Sequence, residues 1–251
     1  MNITRSSLTT LLSVAATVSL FVVGNTAFAA TPPLQTNRPS NATPGAKPYP
    51  PKAPPTSSSS GIQPQVGSYQ KYVPPSSIPI AIFSLTSTGA PIAYQYTTTV
   101  PFNTYTQNVL PNEWIASWNM NALEAGALAV KMYGWYHEDY QWKFPQYNAA
   151  LDNSTRSQVY KAGSAMSSTN TALSNEYSNV IVTGSGYVFE TAFQAGPYSS
   201  QSSGGYTMYQ NGTEWYAVND GWSPNQMVSF YYSGDSAFVR SEYQPCPCPV
   251  S

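Results

Sequence analysis

Acidic residues are missing from the first 112 positions of this 251-residue chain, and the first carboxylate is Glu113. Charge is scarce throughout: Asp, Glu, Lys and Arg make up 8 % of the residues, and the formal net charge is −1. No nucleic-acid partner is expected of so weakly charged a chain. There is a single histidine, His137, which excludes any multi-histidine metal site. A Ser-His-Asp or Cys-His mechanism would have to centre on it. Its place in YHEDY, near the end of a predicted helix, favours a contact with the helix C-terminal dipole instead. The two cysteines, Cys246 and Cys248, stand in CPCP at the C-terminus. They could close a small strained ring or pair between chains, but two ligands on a tail do not make a zinc site. No metal or other cofactor is expected.

Long apolar runs are equally scarce. Leu8 to Val23 follows Arg5 and precedes Ala27-Phe28-Ala29, the pattern of a secretory signal cleaved after Ala29. No later stretch approaches spanning length. The mature protein is expected outside the cytoplasmic membrane, secreted or at the cell wall, without a stable membrane span. Residues 30–75 hold twelve prolines, the run Ser57 to Ser60 and almost no large aliphatic side chains. Such a segment cannot offset chain entropy by burial, so a disordered linker is predicted. Its charges, Arg38, Lys47, Lys52 and Lys71, are all positive. This basic stalk would either lie along anionic wall polymer or act as a solubilising spacer. A head starting at Ser76 is expected to keep the thermal midpoint of the longer chain.

The head, residues 76–243, has five basic side chains against all eleven acidic ones, a net charge of −6. A short tail, 244–251, follows. Ile78 to Phe83 reads as an edge or starting strand, because Pro79 cannot donate to a ladder. Pro91 to Thr99 alternates as a second strand. Val180–Val182 and Tyr187–Phe193 read as a hairpin pair turning at Gly184-Ser185-Gly186. Asn119 to about Tyr140 is the longest helix; its many small residues predict a central, buried position. Pro111-Asn112-Glu113 looks like the start of a separate short helix leading into it. Asn170 is read as the cap of a helix to about Tyr177. Ser223-Pro224-Asn225-Gln226 is a capping box with proline at the first helical position, opening a helix to about Tyr232. The fold class is α+β: one domain with a central buried helix packed against strands.

Glu113 stands beside Trp114, with Trp118 one turn on. In a first helical turn the dipole alone would favour this carboxylate. Packing against either indole would instead favour the protonated form, as general acids require. Composition leaves both open.

Four blocks carry a resemblance. Tyr105-Thr-Gln-Asn-Val-Leu-Pro-Asn-Glu-Trp114, continued by Ser117-Trp118 and by Ala122 to Tyr133, is similar to the signature of the SpoIID/LytB family, which includes stage II sporulation protein D and the amidase enhancer. Ser157-Gln-Val-Tyr160 with Gly163 resembles its S-x-Q-V-Y-x-G. Tyr198 to Thr207 resembles its Y-x-S-x-S-G-G-x-T loop, and Trp222 to Tyr232 its closing helix. The resemblance implies a peptidoglycan lytic transglycosylase with Glu113 as the single catalytic acid/base, acting on glycan strands stripped of stem peptides. It also implies substrate-binding roles. Lys131, where the family usually has arginine, would bind a polar sugar substituent or structure the cleft. Gln158 and Tyr160 would hydrogen-bond and stack on sugar, or else form a core-facing turn. The loop residues Tyr198, Ser199, Ser203, Gly204, Gly205 and Thr207 would approach ligand closely, or else form a plain turn.

There are departures. Residues 151–158, LDNSTRSQ, lack the Cys and His through which some members bind zinc. Met208-Tyr-Gln-Asn-Gly212 follows Thr207 at once and reads as a worn remnant of the family's G-M-S-Q-x-G-A block. The shortened region and Lys131 keep a second reading open: a non-catalytic amidase enhancer or glycan-binding wall module, partnered by an N-acetylmuramoyl-L-alanine amidase. A third is a wall-surface structural protein on a decayed enzyme fold.

Overall fold

A computed structural model describes residues 72–241. The expected signal segment, most of the linker and the cysteine-bearing tail lie outside the described residues. What is described is α+β, as the residue patterns require.

Strand β1 (Ser77–Leu85) pairs antiparallel with β2 (Pro91–Pro101). On its other side it pairs parallel with the two-residue β3 (Leu151–Asp152). β1 is thus the middle strand of three, not an edge. Pro79 is tolerated there because β3 is so short: its ladder contacts reach only Ile80 and Ala81, while the Pro79 carbonyl accepts from the Ala150 N–H just before it. Ile78 and Ile80 are fully buried against the helices, while Ala81 and Phe83 face a smaller cluster with Phe144 and Ala149.

Helix α1 (Phe102–Glu113) follows β2 directly. Phe102, Tyr105, Val109 and Leu110 recur on its buried side, and this burial, rather than intrinsic propensity, makes a helix of FNTYTQNVLPNE. Pro111 lies in its final turn and Glu113 is its last residue. The expected short helix beginning at Pro111 is therefore the end of α1. Helix α2 (Met120–Asp139) is capped by Asn119, whose side chain accepts the Asn121 N–H. Fourteen of its twenty residues are buried, so it is enclosed on nearly all sides, as its small residues predict. Gly126 and Gly134 admit close neighbours: an added methyl group would lie 2.5 Å from the Trp114 ring and 2.9 Å from Tyr105 respectively.

Helix α3 (Ser167–Asn175) begins before Asn170, which sits inside it and is not its cap. The Asn170 N–H is already in the helical ladder, bonded to the Met166 carbonyl. Strand β4 (Asn179–Val182) does turn at Gly186, where φ is +80°, but it pairs with β7 (Phe238–Ser241) and not with residues 187–193. After the turn Thr191 is drawn inward, donating to the Ala129 carbonyl of α2. Only β5 (Phe193–Gln194) forms a ladder there, parallel to β6 (Met208–Tyr209). Helix α4 (Gln210–Asn219) follows β6, and α5 (Pro224–Tyr231) carries both halves of the expected capping box. No described helix is long and apolar enough to cross a membrane.

Packing begins before Ser76. Tyr72 is 5 % exposed, donates its hydroxyl to the Gly186 carbonyl, and lies beneath the Arg240 guanidinium. It therefore ties the stalk's last residues to the β4 turn. Beginning the chain at Ser76 is expected to cost about 2 kcal/mol, the worth of one buried aromatic side chain and its hydrogen bond. At this domain size that lowers the thermal midpoint by roughly 4–8 °C. A chain beginning at Lys71 should show no such drop in a calorimetric scan.

Candidate functional site

Glu113 is 2 % exposed. At the C-terminal end of α1 it faces a helix dipole of the unfavourable sign, the reverse of the first-turn setting. Two donors offset this. The Val159 N–H reaches Oε1 at 2.6 Å. The Gln210 side-chain amide reaches Oε2 at 3.1 Å and the Glu113 main-chain carbonyl at 2.7 Å. The carboxylate thus lies where the end of α1, the 157–160 loop and the first turn of α4 meet.

Each donor is itself fixed. Gln158 is fully buried; its Oε1 accepts from the Tyr105 hydroxyl at 2.7 Å and its Nε2 donates to the Val130 carbonyl at 3.2 Å. Both ends of the amide are used within the core. Gln158 therefore anchors the loop that presents Val159, and its expected sugar contact gives way to the turn reading. Tyr160 stacks on Tyr105, ring centroids 5.8 Å apart, and is only 8 % exposed. Burial raises its pKa, with a smaller push from Tyr96.

The residues flanking Glu113 face inward. The Trp114 indole packs on Gly126 of α2, meets Phe193 edge-on at 5.0 Å, and donates from Nε1 to the Thr213 hydroxyl. In α4, Glu214 accepts the Asn119 N–H at 2.8 Å, so it helps to cap α2; burial raises its pKa. His137 bridges the Gln141 carbonyl, 2.7 Å from Nδ1, and Glu190, 3.2 Å from Nε2. It is a buried link between α2 and the segment after β4, not a helix-end dipole contact alone.

Lys131 lies apart from these contacts. Its ammonium donates to the carbonyls of Glu176 at 2.6 Å, of Tyr177 at 3.3 Å and, closest of all, of Asn179. All three donors hold the turn between α3 and β4, so no donor remains for a sugar substituent. Burial lowers its pKa from 10.5 to about 8, with Glu176 pulling the other way. A lysine with a depressed folded pKa weighs against the fold while charged in both states, below pH 8. Between pH 8 and 10.5 the unfolded chain binds more protons, so stability rises with pH there. The unfolding free energy of the wild type, measured against Lys131→Met from pH 7 to 10, is expected to climb by up to about 2 kcal/mol. A flat difference would show the amine to be less buried than its contacts indicate.

The Ser-Gly loop docks onto protein. Ser203 donates to the Thr207 carbonyl, and the Tyr216 hydroxyl donates to the Ser200 carbonyl. Tyr198 is bonded to Asn219 of α4, and burial raises its pKa. Gly205, at φ +88°, approaches Gly234 so closely that a Cβ would lie 2.7 Å from the Gly234 nitrogen. The close approach its glycine permits is thus made to protein. Gly204 faces open space, and the buried Ser199 hydroxyl has no hydrogen-bond partner among the described residues. Of the predicted site regions, the 157–160 loop is joined to Glu113 by the Val159 hydrogen bond. Gln210 was missed, although the Met-x-Gln-x-Gly block that carries it was visible. Met208 is fully buried in β6, and a Cβ on Gly212 would lie 2.0 Å from the Tyr231 hydroxyl. The block is therefore tightly packed and forms a wall beside Glu113. Among the described residues no group of three His, Cys, Asp or Glu is placed to hold a metal ion.

In comparison with known proteins, residues 93–189 fit the family model SpoIID, described as stage II sporulation protein. No curated protein matches the chain.

Proposed function

We propose that this chain, which matches the stage II sporulation protein family model SpoIID over residues 93–189, is a secreted lytic transglycosylase. Its substrate would be peptidoglycan glycan strands free of stem peptides. The observation that carries this reading is the setting of Glu113: one carboxylate, embedded, with a donor fixed at each oxygen.

The Val159 bond to Oε1 is short, so the exchangeable proton belongs on Oε2, whose bond to Gln210 is longer. From there it would pass to the glycosidic oxygen between N-acetylmuramic acid and N-acetylglucosamine as the bond to the muramic C1 breaks. The carboxylate would then take the proton of the muramic 6-hydroxyl, whose oxygen closes on C1 to give the 1,6-anhydro ring. The proton count balances and no water is consumed. Because the nucleophile belongs to the sugar, one carboxylate serves where ordinary glycosidases use two.

A second reading is a non-catalytic module that holds glycan or an amidase. It is favoured by the 2 % exposure of Glu113 and by the commitment of Lys131 to main-chain carbonyls. Incubation with denuded glycan strands, followed by mass spectrometry, separates the two. Anhydro-muramic ends support the first; unchanged glycan that stays bound supports the second.

A further inference from the structure

We infer that Gln210 is a positioning residue for Glu113, setting both the direction of its carboxyl group and the pH at which it gives up its proton. This rests on the reading of Glu113 as an acid/base. Gln210 is fully buried, and its Nε2 is directed wholly at Glu113, donating to the main-chain carbonyl and to Oε2. Its own Oε1 is buried without a hydrogen-bond partner among the described residues. An amide serving only to fill space would be a costly choice here, since an unsatisfied buried acceptor is destabilising. Such exceptions are expected where a side chain serves a site.

The geometry gives the amide a definite task. One nitrogen holds the last carbonyl of α1 and the side chain that departs from the same residue, so it fixes the side chain's torsion relative to the helix end. Donation to an oxygen also favours the ionised form of that oxygen. Tyr105 on its own helix and Tyr133 on α2 lie within electrostatic reach of Glu113. Burial first, and nearby negative charge second, push both well above 10, so neither brings a charge to the site near neutral pH. The Val159 N–H and the Gln210 amide each act directly on one oxygen of the carboxyl group.

The test uses the full chain with ¹³C-labelled glutamate, the Glu113 signal being assigned by its loss in Glu113→Gln. In Gln210→Met the titration midpoint of Glu113 is expected to move up by about one pH unit, because a donor to the charged form is gone. On denuded glycan the same variant should lose about tenfold in kcat with KM little changed. A lower melting temperature with an unmoved midpoint would overturn the inference, since that is what a merely structural amide would do. Should Gln210→Met fail to fold, Gln210→Asn, which keeps the amide but draws it back by one carbon, is expected to shift the midpoint the same way, and an unmoved midpoint there overturns the inference equally. A shifted midpoint in a protein that leaves glycan uncut would uphold the role of Gln210 and sink the transglycosylase reading, so the two failures are told apart.

Discussion

Glu113→Gln is expected to lower the release of anhydro-muramic products by about 10²–10⁴-fold, the usual worth of general acid–base catalysis. The amide keeps the shape of the side chain but can neither donate its proton to the leaving oxygen nor recover one from the 6-hydroxyl. Its effect on stability should be much smaller. Glutamine at this position can still accept the Val159 N–H on its oxygen, but its NH₂ then faces the Gln210 nitrogen, donor against donor. A loss of about 1–2 kcal/mol follows from that mismatch, roughly 2–8 °C in thermal midpoint at this size. Undiminished cleavage would remove Glu113 from the chemistry. A variant that failed to fold would make the residue a structural link between α1 and α4.

Trp114→Ala should behave in the opposite way. The indole is fully buried, its ring lies on the glycine of α2, and its nitrogen donates to Thr213. Removing it leaves a cavity between α1, α2 and α4 and takes one donor from the Thr213 hydroxyl, which keeps its own bond to the Gln210 carbonyl. Buried tryptophan truncations cost about 3–5 kcal/mol, which corresponds to roughly 6–20 °C. Denaturant titration would measure this directly. A loss below 1 kcal/mol would mean that the helices close over the gap. Comparison of the two variants assigns the neighbours their separate tasks: Glu113 for chemistry, Trp114 for the seat on which it is held.

Much of the fold was legible because some segments carry strong local signals. The small residues of α2, the alternation of β2 and the capping box of α5 each specify an element without outside help. Glu113 was placed at the wrong end of a helix because Pro111 was read as a first-turn proline, its commonest helical position. Phe102, Tyr105, Val109 and Leu110 hold the contrary signal at helical spacing, but asparagines and threonines dilute it. The partner of β4 could not be read locally, since β7 lies more than fifty residues away. For Lys131 and Gln158 the family block left a ligand role and a structural role both open. Their contacts with main-chain carbonyls and the Tyr105 hydroxyl favour the structural role, and those contacts depend on what the rest of the chain brings to them.

The donors that hold Glu113 come late. Gln210 follows it by 97 positions. At about 5–20 residues per second of synthesis, that separation is roughly 5–20 s. Throughout that time an emerging chain has its glutamate but not the amide that aims it. The family match itself ends at residue 189, before the amide is made. Timing of this kind is written into chain order alone: the acid is among the first parts of the head to appear, and the group that readies it is among the last.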